Sequence, residues 1–183
     1  RLAGEQKALS RMQAAWTTYD EGVQALLQAN LEGVLGPLGA LIRAGPDWER
    51  AIEAALGDDL RAVVMERASV AEEAHRILES AGGRLTLLPL DGLRPPPPLP
   101  PGALRAADVV TCREDGDERV WRAIEAVLGS VALCEDLAAA RALLPAMPPG
   151  SRCVTGTGIV LRTDGALTVG RDGTGAVRSD EQA

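Results

Sequence analysis

Aromatic side chains are almost absent from this chain of 183 residues, which has no phenylalanine, one tyrosine and three tryptophans. A hydrophobic core must therefore be built from Leu, Val, Ile and Ala. Apolar residues make up 46% of the sequence, which is enough for one domain or two small ones. No stretch approaches the ~20 consecutive apolar residues that a transmembrane helix needs, so we expect no membrane segment.

Lysine and histidine each occur once, as Lys7 and His75. The sequence therefore lacks a lysine-containing phosphate-binding loop, and a single histidine excludes a metal site made of several histidines. Cys112, Cys134 and Cys153 lie far apart and form no C-x-x-C pair, which favours free thiols in a reducing cytoplasm. We predict no catalytic residue, no metal ligand and no cofactor in this chain.

The net charge of −7 gives the chain no overall attraction to nucleic acid. Its arginines are scattered among acidic residues, without a run of like charge. Any DNA contact would need a local basic patch, for which the candidate residues are Arg61, Arg84, Arg162 and Arg171. A solvated surface of mixed charge is the alternative interpretation of the same arginines.

The first thirty residues carry a heptad repeat in which seven of the eight a and d positions are apolar. These positions are Leu2, Glu5, Leu9, Met12, Trp16, Tyr19, Val23 and Leu26. The strict repeat predicts a coiled-coil helix over residues 1–30. It is already present at Leu2 without a capping residue, which indicates a helix cut from a longer one. An amphipathic helix packed on its own domain is the alternative.

A helix-forming segment occurs twice in the sequence. Residues 48–57, WERAIEAALG, are echoed by residues 120–129, VWRAIEAVLG. Each copy is followed by a short apolar strand and an Ala-rich helix, and Asp47 is predicted to cap the first copy. The duplication predicts an α/β (α+β) fold of two related subdomains built from helix–strand–helix units. Chance similarity between two Ala-rich helices is the alternative.

Proline and glycine mark the remaining boundaries. Residues 94–101, RPPPPLPP, predict a stiff polyproline connector, with an SH3-type ligand as the alternative. The glycine-rich residues 152–175 predict a β-ribbon, in which Asp164-Gly165 indicates a two-residue hairpin turn. The predicted organisation is a coiled-coil helix at 1–30, subdomain I at 31–93, the connector at 94–102, subdomain II with the ribbon at 103–175, and a tail or returning coil at 176–183.

Residues 34–93 resemble the first half of the hinge domain of prokaryotic SMC (structural maintenance of chromosomes) proteins. The resemblance rests on A-I-E-A-x-L-G at 51–57 and G-R-x-T-x-x-P-L at 83–90. It continues to the end of the ribbon, through Val154-Thr155, Gly158, Gly165 and Thr168-Val169-Gly170. The sequence departs from the family at Gly156, where a bulkier residue is usual, and at Val169, which replaces a glycine.

The resemblance implies a non-catalytic half-ring that forms a homodimer at the bend of a long coiled coil. The whole protein would be cytoplasmic and nucleoid-associated, and would take part in chromosome condensation, organisation and segregation. Its ATP-binding heads, with their accessory subunits, would lie outside this chain. By motif position the resemblance assigns the dimer interface to Gly158, Gly165, Thr168, Gly170, Gly33 and Gly36. It also implies weak DNA contact. A DNA-binding module acting through a basic patch, or a small α/β enzyme, is the alternative.

Overall fold

The computed structural model describes residues 21–114 and 116–170. Its helices are α1 (Glu21–Gln28), α2 (Leu38–Leu41), α3 (Glu49–Leu56), α4 (Ala71–Ala81), α5 (Glu118–Leu128) and α6 (Leu137–Leu143). Its strands are β1 (Val34–Pro37), β2 (Ile42–Ala44), β3 (Val63–Met65), β4 (Leu87–Pro89), β5 (Leu104–Arg105), β6 (Val110–Cys112), β7 (Val131–Cys134), β8 (Arg152–Thr155), β9 (Val160–Arg162) and β10 (Leu167–Thr168). Short 3-10 helices occupy Gly57–Arg61, Ala68–Val70, Ala106–Val109 and Leu144–Ala146.

The two halves of the chain have the same topology. In the first half, β1 lies antiparallel to β3, and β3 lies parallel to β4. In the second half, β5 lies antiparallel to β7, and β7 lies parallel to β8. A helix, α4 or α6, connects each parallel pair, because parallel strands need a crossover. The predicted duplication is therefore confirmed, and it extends to a whole β-helix-β-α-β-α-β unit.

The halves are joined by a two-stranded sheet to which each contributes one strand. Ile42 of β2 pairs with Cys112 of β6, and Ala44 pairs with Val110. One hydrophobic core also spans both halves, and it includes Ile52 of α3 and Ile124 of α5. The two subdomains thus share a core instead of forming separate lobes.

Helices α3 and α5 occupy equivalent places in the two units but begin differently. In α5, the side chain of Asp117 accepts a hydrogen bond from the backbone N–H of Arg119. In α3, the N-cap is Trp48, with no side-chain cap hydrogen bond, so the prediction that Asp47 is the cap was wrong. The physical reason is the preceding turn, in which the Trp48 N–H donates to the carbonyl of Gly45 and places Asp47 inside the turn.

Helix α1 packs against its own domain. Val23 and Leu26, which the heptad pattern places on a coiled-coil seam, are buried in one cluster with Ala74 of α4. A Cβ atom on Gly22 would lie 3.2 Å from Leu78 Cδ2, so the absence of a side chain there allows the two helices to approach closely. The alternative interpretation, an amphipathic helix packed on its own domain, therefore describes these positions. Residues 1–20 and 176–183 lie outside the described residues.

The hairpin β9–β10 extends the second sheet beyond the repeated unit, giving the order β10-β9-β8-β7-β5. The Arg162 N–H donates to Ala166 O, and the Gly165 N–H donates to Arg162 O, both over 2.9 Å. The turn therefore contains three residues, and the predicted two-residue turn was wrong. Gly165 has a φ of 90°, which is the left-handed position that such three-residue turns require.

The proline connector lies along the protein surface with a three-residue period. Leu93, Pro96 and Leu99 are half-buried, whereas most of the residues between them are exposed. Leu93 packs against the main core and Leu99 against the second cluster. Consecutive prolines hold φ near −65°, and the period of three is that of a polyproline II helix. One of its three ridges therefore faces the protein.

Gly129 lies directly against Pro96 of this ridge. A Cβ atom there would lie 2.8 Å from Pro96 Cγ and would collide with the carbonyl oxygen of Glu125. Its counterpart in the first unit, Gly57, has open space around it but a φ of 52°. At this position of the repeat, close packing requires glycine in the second unit, whereas backbone conformation requires it in the first.

We predict that Gly129→Ala lowers the free energy of unfolding by about 1–3 kcal/mol, because the added methyl group has no room. Gly45→Ala is the control, since a Cβ atom there meets nothing within 4 Å and the position has no positive φ. Urea denaturation of both variants measures the difference. Equal stabilities would contradict the assignment of Gly129 as a packing glycine.

Candidate dimerisation surface

Strand β10 forms one edge of the five-stranded sheet and carries exposed apolar side chains. Leu167 is 44% exposed and Val169, which follows the strand, is 70% exposed. Hydrogen-bonded and non-bonded residue pairs alternate in an antiparallel ladder. Because Arg162 bonds to Ala166, the next bonded pair is Val160 with Thr168. The backbone N–H and C=O groups of Leu167 and Val169 therefore point away from β9.

A second open edge belongs to β4, in the three-stranded sheet. The Val63 N–H donates to Thr86 O, and the Leu90 N–H donates to Met65 O, so the alternate residues turn their backbone outward. Those residues are Leu85, Leu87 and Pro89, the last of which has no N–H to donate. Within the described ranges, no strand pairs with the outer side of β4.

The predicted interface residues lie in three different places in the structure. Gly165, Thr168 and Gly170 lie together on the exposed hairpin β9–β10. A Cβ atom on Gly165 or Gly170 would meet nothing within 4 Å. The space beside these two glycines is therefore open to a partner backbone.

Gly158 occupies a different environment. It is buried, and a Cβ atom there would lie 3.5 Å from both Ala54 Cβ and Arg50 Cγ of α3. These distances are ordinary contacts, and the φ of 90° at Gly158 is what favours glycine at this buried position. Gly33 and Gly36 lie on the first sheet, just before and within β1, where the register with β3 is irregular.

Sequence reasoning missed the apolar residues of the two edges. Leu167 and Val169 alternate with Thr168 directly after a hairpin turn, and this pattern could have identified an edge strand with one apolar face. Leu85 and Leu87 show the same alternation around Thr86. Val169 was noted only as a departure from the family pattern, although it is the most exposed of the large apolar residues described.

Arginine side chains connect the two halves and so fix the positions of both edges. Arg152 Nη2 of β8 donates to the carbonyl oxygen of Ala55 over 2.7 Å, at the C-terminal end of α3. Arg122 Nη2 of α5 likewise donates to Leu90 O of the first half over 3.1 Å. The guanidinium of Arg152 satisfies a carbonyl that the helix leaves unpaired and complements the helix dipole.

Burial shapes the electrostatics around Arg152. It lowers the pKa of the Arg152 guanidinium, and the charge of Asp59 opposes this shift. Burial also raises the pKa of Asp59, and here the charge of Arg152 opposes the shift. Each charge therefore offsets part of the cost of burying the other at the junction between the halves.

A second ionic contact between the halves lies at the start of α5. Arg119 Nη1 lies 2.8 Å from Glu66 Oε1, and Arg119 Nε lies 3.1 Å from Asp117 Oδ1. Hydrogen bonds from the Arg119 side chain hold the pKa of Asp117 below its usual value. Asp117 thus caps its helix and orients the arginine that reaches the first half.

Of the three candidate DNA-binding arginines that the structure describes, two are paired with acidic residues. Arg61 pairs with Asp58 over 2.9 Å, and Arg162 pairs with Asp164. Arg84 is exposed between Gly83 and Leu85, and Arg171 lies outside the described residues. Two of these guanidinium charges are therefore largely neutralised by acids two or three positions away.

The described residues contain no group of three or more His, Cys, Asp or Glu that could hold a metal ion. Burial raises the pKa of the Cys153 thiol to about 12 and also raises that of Cys134. These thiols are therefore protonated at neutral pH and are poor nucleophiles. Over the same residues, no helix has both the length and the apolar character of a membrane span.

Comparison with known proteins places this fold in a family. The family model described as "SMC proteins Flexible Hinge Domain" matches residues 31–144. The chain therefore belongs to the SMC hinge family, as the sequence motifs indicated. This assignment also supports the expectation that the chain is not itself an enzyme.

The relatives are chromosome partition proteins named Smc. The protein of Myxococcus xanthus is 34% identical over 181 residues, which cover 92% of this chain and 15% of the relative. That of Mycolicibacterium paratuberculosis is 38% identical over 127 residues, covering 67% of this chain and 10% of the relative. The chain thus spans only a small part of the proteins it matches.

Solved hinge domains share the fold. The Geobacillus stearothermophilus SMC hinge domain, solved as an asymmetric dimer, superposes with a TM-score of 0.78 at 30% identity, covering 95% of this chain and 75% of that one. The Pyrococcus furiosus hinge domain gives a TM-score of 0.72 at 27% identity, covering 98% and 92%. The mixed α/β fold class predicted from the sequence is confirmed.

We predict that Arg152→Ala lowers the free energy of unfolding by about 1.5–3 kcal/mol, the usual cost of losing a hydrogen bond made by a charged group. Arg162→Ala is the control, because its side chain is 56% exposed and pairs only with an exposed aspartate. This control should change stability by less than about 0.5 kcal/mol. Urea denaturation compares the two variants, and equal losses would refute the role of Arg152 at the junction.

A second prediction concerns acid. Because the folded-state pKa of Asp117 is depressed, its contribution to stability is present above the unfolded value of about 4 and is lost as the pH falls through the folded value. Asp117→Asn keeps a cap acceptor but removes this titration. The urea midpoint of the variant should therefore depend less on pH between about pH 6 and pH 3 than that of the native chain. Parallel curves for the two proteins would contradict the assignment.

Proposed function

We propose that this chain is the homodimerisation hinge of an SMC protein and that the open edges of β10 and β4 form the interface. The observation that carries the proposal is the unpaired apolar edge at Leu167 and Val169. Unpaired edge strands are normally shortened, charged or covered, because they associate with other strands. The exposure of two apolar residues here favours an edge that a second chain completes.

The two edges match in their hydrogen-bonding repeat. Leu167 and Val169 present outward backbone groups two residues apart on β10, and Leu85 and Leu87 do the same beside β4. Pairing them across two chains would join the three-stranded sheet of one protomer to the five-stranded sheet of its partner. A two-fold axis would then repeat the junction and close a ring. The solved dimer of the Geobacillus stearothermophilus hinge supports self-association of this fold.

The glycines of the hairpin fit this arrangement. Gly165 and Gly170 flank the outward-facing residues, and both have positive φ values, of 90° and 104°. Neither has a side chain that would hold a partner strand away. In this proposal Gly165, Thr168 and Gly170 belong to the interface, whereas the packing of Gly158 on α3 gives it a role within the protomer.

The wider function proposed for the whole protein is chromosome organisation, condensation and segregation. The relatives are named chromosome partition proteins, and ATP-binding heads with their accessory subunits would belong to parts outside this chain. We propose a cytoplasmic, nucleoid-associated protein whose hinge needs no cofactor. DNA contact by the hinge is proposed only as weak and secondary, given the net charge of −7 and the paired arginines.

We predict that Leu167→Glu weakens the dimer by about thirtyfold or more, because a charge would then have to be buried at the centre of the junction. Sedimentation equilibrium over a concentration series measures the dissociation constant. Circular dichroism should show unchanged helix content, since the residue makes no core contact.

The matched control is Leu104→Glu. Leu104 is 41% exposed on β5, at the opposite edge of the same sheet, so it tests the effect of an added charge without touching the proposed junction. Its dissociation constant should stay within about twofold of the native value. A native chain that remains monomeric at micromolar concentration, or equal weakening by both substitutions, would refute the proposal.

A further inference from the structure

The proline connector has a surface that the dimer proposal does not use. A polyproline II helix has three residues per turn and therefore three side-chain ridges. The ridge of Leu93, Pro96 and Leu99 faces the protein. The second ridge begins with Arg94 and Pro97, and the third contains Pro95, Pro98 and Pro101. All five of these residues are exposed.

The inward ridge alone accounts for the attachment of the connector. Pro96 lies against Gly129, and Leu99 packs with the apolar residues of the second cluster. A connector needs only such anchors and a sufficient length. The exposed prolines stiffen the segment but are not needed to anchor it to the protein.

The exposed face has a distinct chemistry. Proline has no backbone N–H, so Pro95, Pro97 and Pro98 offer carbonyl acceptors and ring faces but no backbone donors. Grooves lined with Trp and Tyr suit such a surface, because their rings pack on prolines while indole N–H and phenol O–H groups donate to carbonyls. Arg94, at one end, suits an acidic side chain and would fix the direction of binding.

We propose that this exposed face is a docking site for a protein partner with an aromatic-lined groove that recognises polyproline helices. Such a groove can receive two ridges of the helix, and two are free here. The contact between Pro96 and Gly129 holds the segment in its extended form before binding, so little conformational entropy is lost on association. This proposal does not depend on the dimer, because the connector lies outside both proposed edges.

The test uses three purified probes that bind polyproline helices, namely an SH3, a WW and an EVH1 domain. Each is labelled with ¹⁵N and titrated with the full chain, and amide shifts report whether its aromatic groove is occupied. We expect saturable groove shifts for at least one domain. The triple variant Pro95→Ala, Pro97→Ala, Pro98→Ala should weaken that binding about tenfold or more, as truncation of interface anchors does.

Two control variants show whether the effect is specific to prolines of the connector. Pro46→Ala and Pro149→Ala remove exposed prolines outside the connector, and the affinity should stay within about twofold. Arg94→Glu should weaken binding while leaving all the prolines in place, and thermal unfolding checks that every variant is folded.

A synthetic peptide of residues 93–101 completes the test. It presents all three ridges, and we expect the folded chain to bind the same domain at least as tightly. No groove shift with any domain at about millimolar concentration would overturn the proposal. Binding that survives the triple substitution, or binding of the peptide but not of the chain, would do the same, because the ligand would then not be the exposed face.

Discussion

The pairing of β2 with β6 is the contact on which the rest of the structure depends. Each half contributes one strand, so neither half completes this sheet without the other. The shared core and the hydrogen bonds from two arginines of the second half to carbonyls of the first then hold the two repeated units in one orientation. The edges of β4 and β10 belong to this single body, and their relative position is therefore set by the contacts between the two halves.

The parts of the fold that could be predicted from the sequence are those with a local signal. The echo of residues 48–57 at 120–129 identified the duplication, and consecutive prolines identified the connector. Contacts between distant segments left no such signal. Arg152 reaches Ala55 across 97 positions, and no local pattern distinguishes that arginine from the others.

The same distinction applies to the interface. Motif positions indicated the hairpin glycines, and the structure places Gly165 and Gly170 on an exposed edge. Gly158 carries an equally clear motif signal, yet its surroundings are a helix of its own chain. A glycine shows only that a side chain is absent, and the neighbour that requires the absence is known only from the fold. The apolar residues between the glycines indicate an edge only when their short alternation is considered together with the hairpin turn before it.

The hairpin β9–β10 gives the molecule a polarity, since it extends only the second of two otherwise equivalent units. One unit thus ends in an apolar strand and the other in an edge able to receive it. In the proposed assembly each chain has one donor and one acceptor, and growth stops at two chains because the two-fold axis closes the ring. A protein built from two second units would have two donors and no acceptor. The unequal ends of the duplication therefore determine which edge meets which, and the rotation between the chains determines their number.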